Sequence, residues 1–164
     1  MSVDRDRVIE VGLGGYGTLG DDQPIASGNV YFANLPRPAY DPDAAKGILA
    51  QAGYGDGLRL PALEVFDLPL ITNVALIVQQ QLKDVGIQFD IKRVSQATFY
   101  DTSWLKAPFW SNTFARRPAD EILKLCFTSD GKWNMSKRKD PEIDAAIEAA
   151  AETADLELQK SSTP

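Results

Sequence analysis

Apolar positions along the chain change period several times, and each change marks an element. In "YDPDAAKGILAQAGYGDG", Ala45, Ile48, Leu49 and Ala52 recur at helical spacing. Asp41 stands ahead of them as an N-cap, Pro42 suits the first helical position, and Gly53 ends the run as a left-handed stop. "LRLPALEVF" reads as a strand, which Pro61 confines to an edge or a bulge because proline donates no ladder hydrogen bond. Helical period returns in "ITNVALIVQQQLKDVGI", where Val74, Ile77, Val78, Leu82 and Val85 share a face and Gly86 closes the segment. "IQFDIKRV" alternates, with Ile87, Phe89 and Ile91 on one side and Gln88, Asp90 and Lys92 on the other. "QATFYDTSWL" predicts a further helix. "DPEIDAAIEAAAETAD" repeats the earlier start signal, Asp140 capping and Pro141 opening, over a buried stripe of Ile143, Ala146, Ile147 and Ala150. Arg5 to Val11 is too short for its period to separate helix from strand, and Gly12 to Asn34 reads as loop. The alternation of helix and strand predicts an α/β fold, a mixed sheet with helices packed on it.

Composition narrows the class of function more than it names one. The 164 residues make one ordinary domain or part of something larger, with 44% hydrophobic and 24% charged residues. A net charge of −6 argues against a nucleic-acid surface, which carries a basic face. No apolar run approaches the roughly 20 residues of a membrane span. The opening "MSVDRDRVIE" places charges where a secretory signal needs an apolar core. Histidine is absent, which excludes Ser-His-Asp and Cys-His catalysis and histidine-ligated metal. Cys126 is the single cysteine, so no internal disulfide or thiolate cluster forms; within "EILKLCFTS" it reads as a small core residue.

One motif points elsewhere. Gly12, Gly14 and Gly17 in "VGLGGYGTLG" spell the glycine pattern of a phosphate-cradling loop. That chemistry needs a strand before the glycines and a helix N-terminus after them. The following "TLGDDQPIASGN" has no apolar period, and neither a kinase catalytic loop nor a lysine-containing phosphate loop is present. The glycines are expected to serve a tightly turning connection. A nucleotide-dependent enzyme using Gly12 to Gly17 is the weakest of the alternatives.

Four segments in order, "DRDRVIEVGLGGYG", "YDPDAAKGILAQAGYGDGLRL", "QQLKDVGIQFDIKRV" and "WNMSKRKDPEIDAAIEAAAETAD", resemble the extracellular solute-binding proteins of family 5. These are the peptide-, dipeptide- and nickel-binding components of ABC importers. The resemblance covers roughly residues 4 to 155. It implies part of one lobe of a two-lobed, type II periplasmic-binding-protein-like fold over residues 1–155, without the N-terminal lobe or the C-terminal return segment. Residues 156–164 are expected to be a frayed tail. It further implies a periplasmic, non-enzymatic protein that binds peptides or similar small solutes and works with an ABC permease. No cofactor, metal, nucleic acid or direct membrane insertion is implied. A remnant lobe without activity of its own is the alternative.

The same resemblance marks candidate ligand contacts. Phe114, Arg117, Pro118, Asp120, Trp133 and Asn134 match a pattern of aromatic, Arg-Pro, acidic residue and Trp-Asn, although tryptophan is more usual where Phe114 stands. The chemistry suits peptides. Asp120 can pair with an α-amino group, and Arg117 can grip a carboxylate through two parallel N–H bonds. Trp110 and Trp133 offer apolar walls, and Asn134 both donates and accepts. Plainer roles stand beside each: Asp120 as a helix cap, Arg117 as an ion-paired surface residue, Trp133 as core. The alanines from Ala145 to Ala151 read as a packing face, and Lys137 to Lys139 as a solvated turn.

Overall fold

The computed structural model describes residues 1–152 and shows two compact units. The first comprises Met1–Leu19 and Pro38–Phe114; the second takes Gly20–Arg37 together with residues 115–152. The expected tail, and the end of the last predicted helix beyond Glu152, lie outside the described residues.

In the first unit, Arg5 to Val11 proves helical. A short α1 (Arg5–Arg7), capped by the Asp4 carboxylate on the Arg7 N–H, runs into a π-helical turn at Val8–Gly12. This turn packs on α3 (Pro69–Asp84). Gly12 permits the approach, because a Cβ there would sit 3.0 Å from Ile77 Cδ1. Helix α2 (Pro42–Gln51) carries the predicted signals: the Asp41 carboxylate accepts the Ala44 N–H at 2.8 Å, and Gly53 adopts φ +86°. Its predicted stripe is only partly buried. Ala45 is covered and Leu49 half-covered, whereas Ile48 is 53% exposed and Ala52 is also exposed.

Both strand predictions break in two at the same level. "LRLPALEVF" becomes β1 (Leu58–Arg59) and β2 (Leu63–Phe66), and "IQFDIKRV" becomes β3 (Ile87–Gln88) and β4 (Ile91–Val94). Strands β1 and β3 pair with each other, while β2 lies between β4 and β5 (Trp110–Ser111). Pro61 therefore marks neither an edge nor a bulge: it sits in the gap between two sheets, and β2 beyond it is central. Every described pair is parallel rather than mixed, because a helix crossover separates β2 from β4 and β4 from β5.

The pleat of β2 sorts its neighbours. Leu63 faces α3, whose Ile71 and Ala75 are buried, with Val74, Val78 and Leu82 half-covered. The buried face thus begins one turn earlier than the predicted stripe. Glu64 and Phe66 face the other way, beside Lys92 and Val94 of β4, and receive α4 (Gln96–Thr102). Val65 and Phe99 are fully buried in this core.

In the second unit, α5 (Ala119–Cys126) and α6 (Pro141–Glu152) pack together. Ile25, Ala119, Leu123 and Ile147 form its core, with Tyr31, Ile122 and Ile143 against it. Asp140 caps α6 as predicted, accepting the N–H groups of Glu142 at 3.1 Å and Ile143 at 3.3 Å. The Ile143 bond leads in holding its carboxyl below the usual aspartate value.

Phe99→Ala should lower unfolding stability by about 3–5 kcal/mol through loss of a fully buried ring. Ile48→Ala should change it by less than about 0.5 kcal/mol, its predicted core position notwithstanding. Urea denaturation followed by circular dichroism separates the two; similar losses in both would contradict this core.

Candidate functional site

The α4 face of the three-stranded sheet is an aromatic run. Phe66 meets Phe99 edge-on at 5.3 Å and Tyr100 at 6.0 Å. The Trp104 ring lies 4.8 Å from Trp110, 6.2 Å from Tyr100 and 5.7 Å from Phe114. Of the predicted contacts, Trp110 and Phe114 belong here. Trp110 flanks the core, and Phe114 is 40% exposed. Trp104, which joins their rings, escaped the sequence reading because it falls at the end of a segment read simply as helix.

A carboxylate lies under this run. Glu64 accepts the hydroxyl of fully buried Ser103 through Oε2 and the Lys92 ammonium through Oε1 at 2.9 Å. The Ser103 bond, then the Lys92 bond, hold the Glu64 carboxyl below its usual value of 4.5. The chain turns sharply just beyond. Ser103 O accepts the N–H groups of Lys106 and Ala107, and Leu105 adopts φ +58°, a left-handed conformation that disfavours a bulky side chain.

The second unit holds the other four candidates. Arg117 stacks its guanidinium 4.7 Å from the centre of the Trp133 ring, a cation–π contact, and pairs with Glu121 one turn along the chain. Arg117 and Trp133 are thus brought together, and the carboxylate that meets Arg117 is Glu121, which the sequence reading passed over. The i, i+4 spacing was its available signal. Asp120 does not cap α5. Pro118 holds the N-cap position, and Asp120 stands exposed in the first turn, where its charge suits the helix dipole. It lines a groove of about 270 Å³ with Ile25, Tyr31, Leu123, Lys124 and Ile147. Asn134 ties its own loop: its amide donates to Thr128 O at 3.0 Å and Arg138 O at 2.7 Å, and Oδ1 accepts from Ser136. Cys126 is buried, and burial pushes its thiol up, away from the thiolate a nucleophile needs.

The glycine loop follows a helix, not a strand, and no helix starts between it and α2. Gly14, Gly15 and Gly17 take positive φ, as a turning connection demands. Among the described residues no three His, Cys, Asp or Glu side chains gather to hold a metal, and no helix is long and apolar enough to cross a membrane.

The model of the bacterial extracellular solute-binding proteins, family 5 middle region, matches residues 1–133. The chain belongs to that family. This family 5 protein is 27% identical to the oligopeptide-binding protein OppA of Mycobacterium tuberculosis, over 89% of its own length and 27% of OppA. Solved structures agree on the fold. The substrate-binding protein CtaP of Listeria monocytogenes superposes with a TM-score of 0.80 at 21% identity, over 98% of this chain and 34% of CtaP. AppA of Bacillus subtilis, solved with a nonapeptide, gives 0.78 at 19% identity over 98% and 36%. NikA of Staphylococcus aureus, solved with Ni(L-His)2, gives 0.81 at 20% over 98% and 36%. The chain spans about a quarter of the length of the curated relatives it matches.

Glu64 gives the site a pH signature. Its folded value is depressed, so its stabilising contribution is complete above the unfolded value and is lost as pH falls through the folded one. Glu64→Gln should flatten the stability profile as pH falls below the usual glutamate value of 4.5, relative to wild type. Parallel urea titrations across that range check this, and superimposable profiles would contradict it.

Proposed function

We propose that this protein binds peptides or similar small solutes outside the cytoplasmic membrane, in the periplasm, and delivers them to an ABC permease without chemistry of its own. One observation carries the reading: the family model of extracellular solute-binding proteins runs through 133 consecutive residues of the chain. The charge balance and the absence of histidine are compatible with it.

In the first unit, Trp110 and Phe114 supply apolar surface for solute side chains. In the second, Arg117 engages a solute carboxylate in exchange with Glu121, and exposed Asp120 receives an α-amino group. Trp133, already under the Arg117 guanidinium, keeps that charge in place. Asn134 contributes through Oδ1, since both its amide hydrogens are engaged. That internal engagement of Arg117 and Asn134 also favours a second reading, a lobe that binds nothing by itself.

Titration of this chain with mixed di- and tripeptides, followed by tryptophan fluorescence and calorimetry, distinguishes the two. Solute binding predicts saturable change and an affinity loss of at least tenfold, about 1.4 kcal/mol, in an Arg117→Ala, Asp120→Ala double variant. No response in the wild type leaves the lobe without binding of its own. Unchanged affinity in the double variant removes the two charged contacts.

A further inference from the structure

Resting on the solute-binding reading, we infer that Trp104 is a specificity-determining contact that favours solutes with an aromatic side chain, and that Glu64 is its positioning residue. The aromatic run passes from fully buried Phe99 outward to Tyr100, 49% exposed, and Phe114, 40% exposed. A core needs no such outward extension. Trp104 sits half-buried between those two exposed rings and Trp110, in tilted or edge-on geometries throughout. Another ring can join the same set edge-to-face, whereas a methyl or other aliphatic side chain lacks the matching ring edge.

Placement of this ring is over-determined. Immediately before Trp104, fully buried Ser103 donates to the Glu64 carboxylate, which Lys92 steadies from the neighbouring strand. Immediately after it, Leu105 is held at φ +58°. Trp104 N–H itself donates to Phe99 O at 2.9 Å. A bulky residue persists in a left-handed conformation only where its surroundings impose it, and such positions gather at ligand clamps. The same turn returns the chain from α4 towards β5 and sets the backbone from which the Trp104 ring projects. Glu64 therefore acts on the solute through Ser103 and the turn, touching no solute itself.

Calorimetric titration with Ala-Phe-Ala, Ala-Ala-Ala and Ala-Leu-Ala tests this. Wild type should bind Ala-Phe-Ala at least about tenfold more tightly than either of the others. Trp104→Ala should abolish that preference, and Trp104→Phe should restore most of it. Glu64→Ala should weaken the preference, and Glu64→Gln, which still accepts the Ser103 hydroxyl, should recover it. Binding of all three peptides without preference, or a preference that survives Trp104→Ala, overturns the inference alone. Failure of every peptide to bind overturns the solute-binding reading and this inference with it.

Discussion

Strand β2 is constrained from four sides, and the first unit is organised by that constraint. Its edges are occupied by β4 and β5, with Leu63 N–H donating to Asp90 O at 2.8 Å and Glu64 N–H donating to Phe109 O at 3.0 Å. One face meets α3, the other α4 and the aromatic run. A strand so enclosed must satisfy any polar side chain it carries. Glu64 is the polar exception on β2, and Ser103 and Lys92 satisfy it. Ser103 is the residue at which the chain leaves α4, so this bond ties the strand to the turn that begins before Trp104. Fold and candidate binding surface thus share one residue.

Helix positions were legible where capping chemistry was explicit. Asp41-Pro42 and Asp140-Pro141 each start a helix within a residue of the prediction, and Gly53 and Gly86 both take positive φ where helices end. The parallel sheet was less legible. "LRLPALEVF" and "IQFDIKRV" each look continuous, because alternation survives across a short break in pairing. Pro61 signalled the break in one of them, and the choice between edge strand and gap depends on β5, distant in sequence. Ile48 shows the limit of periodicity: helical spacing places it beside Leu49, and only tertiary packing decides that it faces solvent.

Chemical partners were harder to read than elements. The charge of Arg117 is evident from the sequence, but its pairing with Glu121 and its stack on Trp133 depend on how the loop after α5 returns, which Trp133 N–H fixes by donating to Leu125 O at 2.8 Å. Asn134 is an amide able to donate and accept, and it does both within its own loop. The glycine cluster could be assigned because its motif requires flanking elements, and the sequence already lacked the helix that should follow. Motifs with structural preconditions can be tested in this way, whereas single polar residues cannot.

Amide hydrogen exchange under native conditions measures the constraint on β2 directly. The account predicts that Glu64 and Val65 exchange only by unfolding of the whole first unit, with an opening free energy equal to that from denaturant, while Leu58 and Arg59 of the two-residue β1 open more readily. Exchange of Glu64 and Val65 as fast as that of Leu58 and Arg59 would show that β2 is not the enclosed strand on which the fold and its aromatic surface depend.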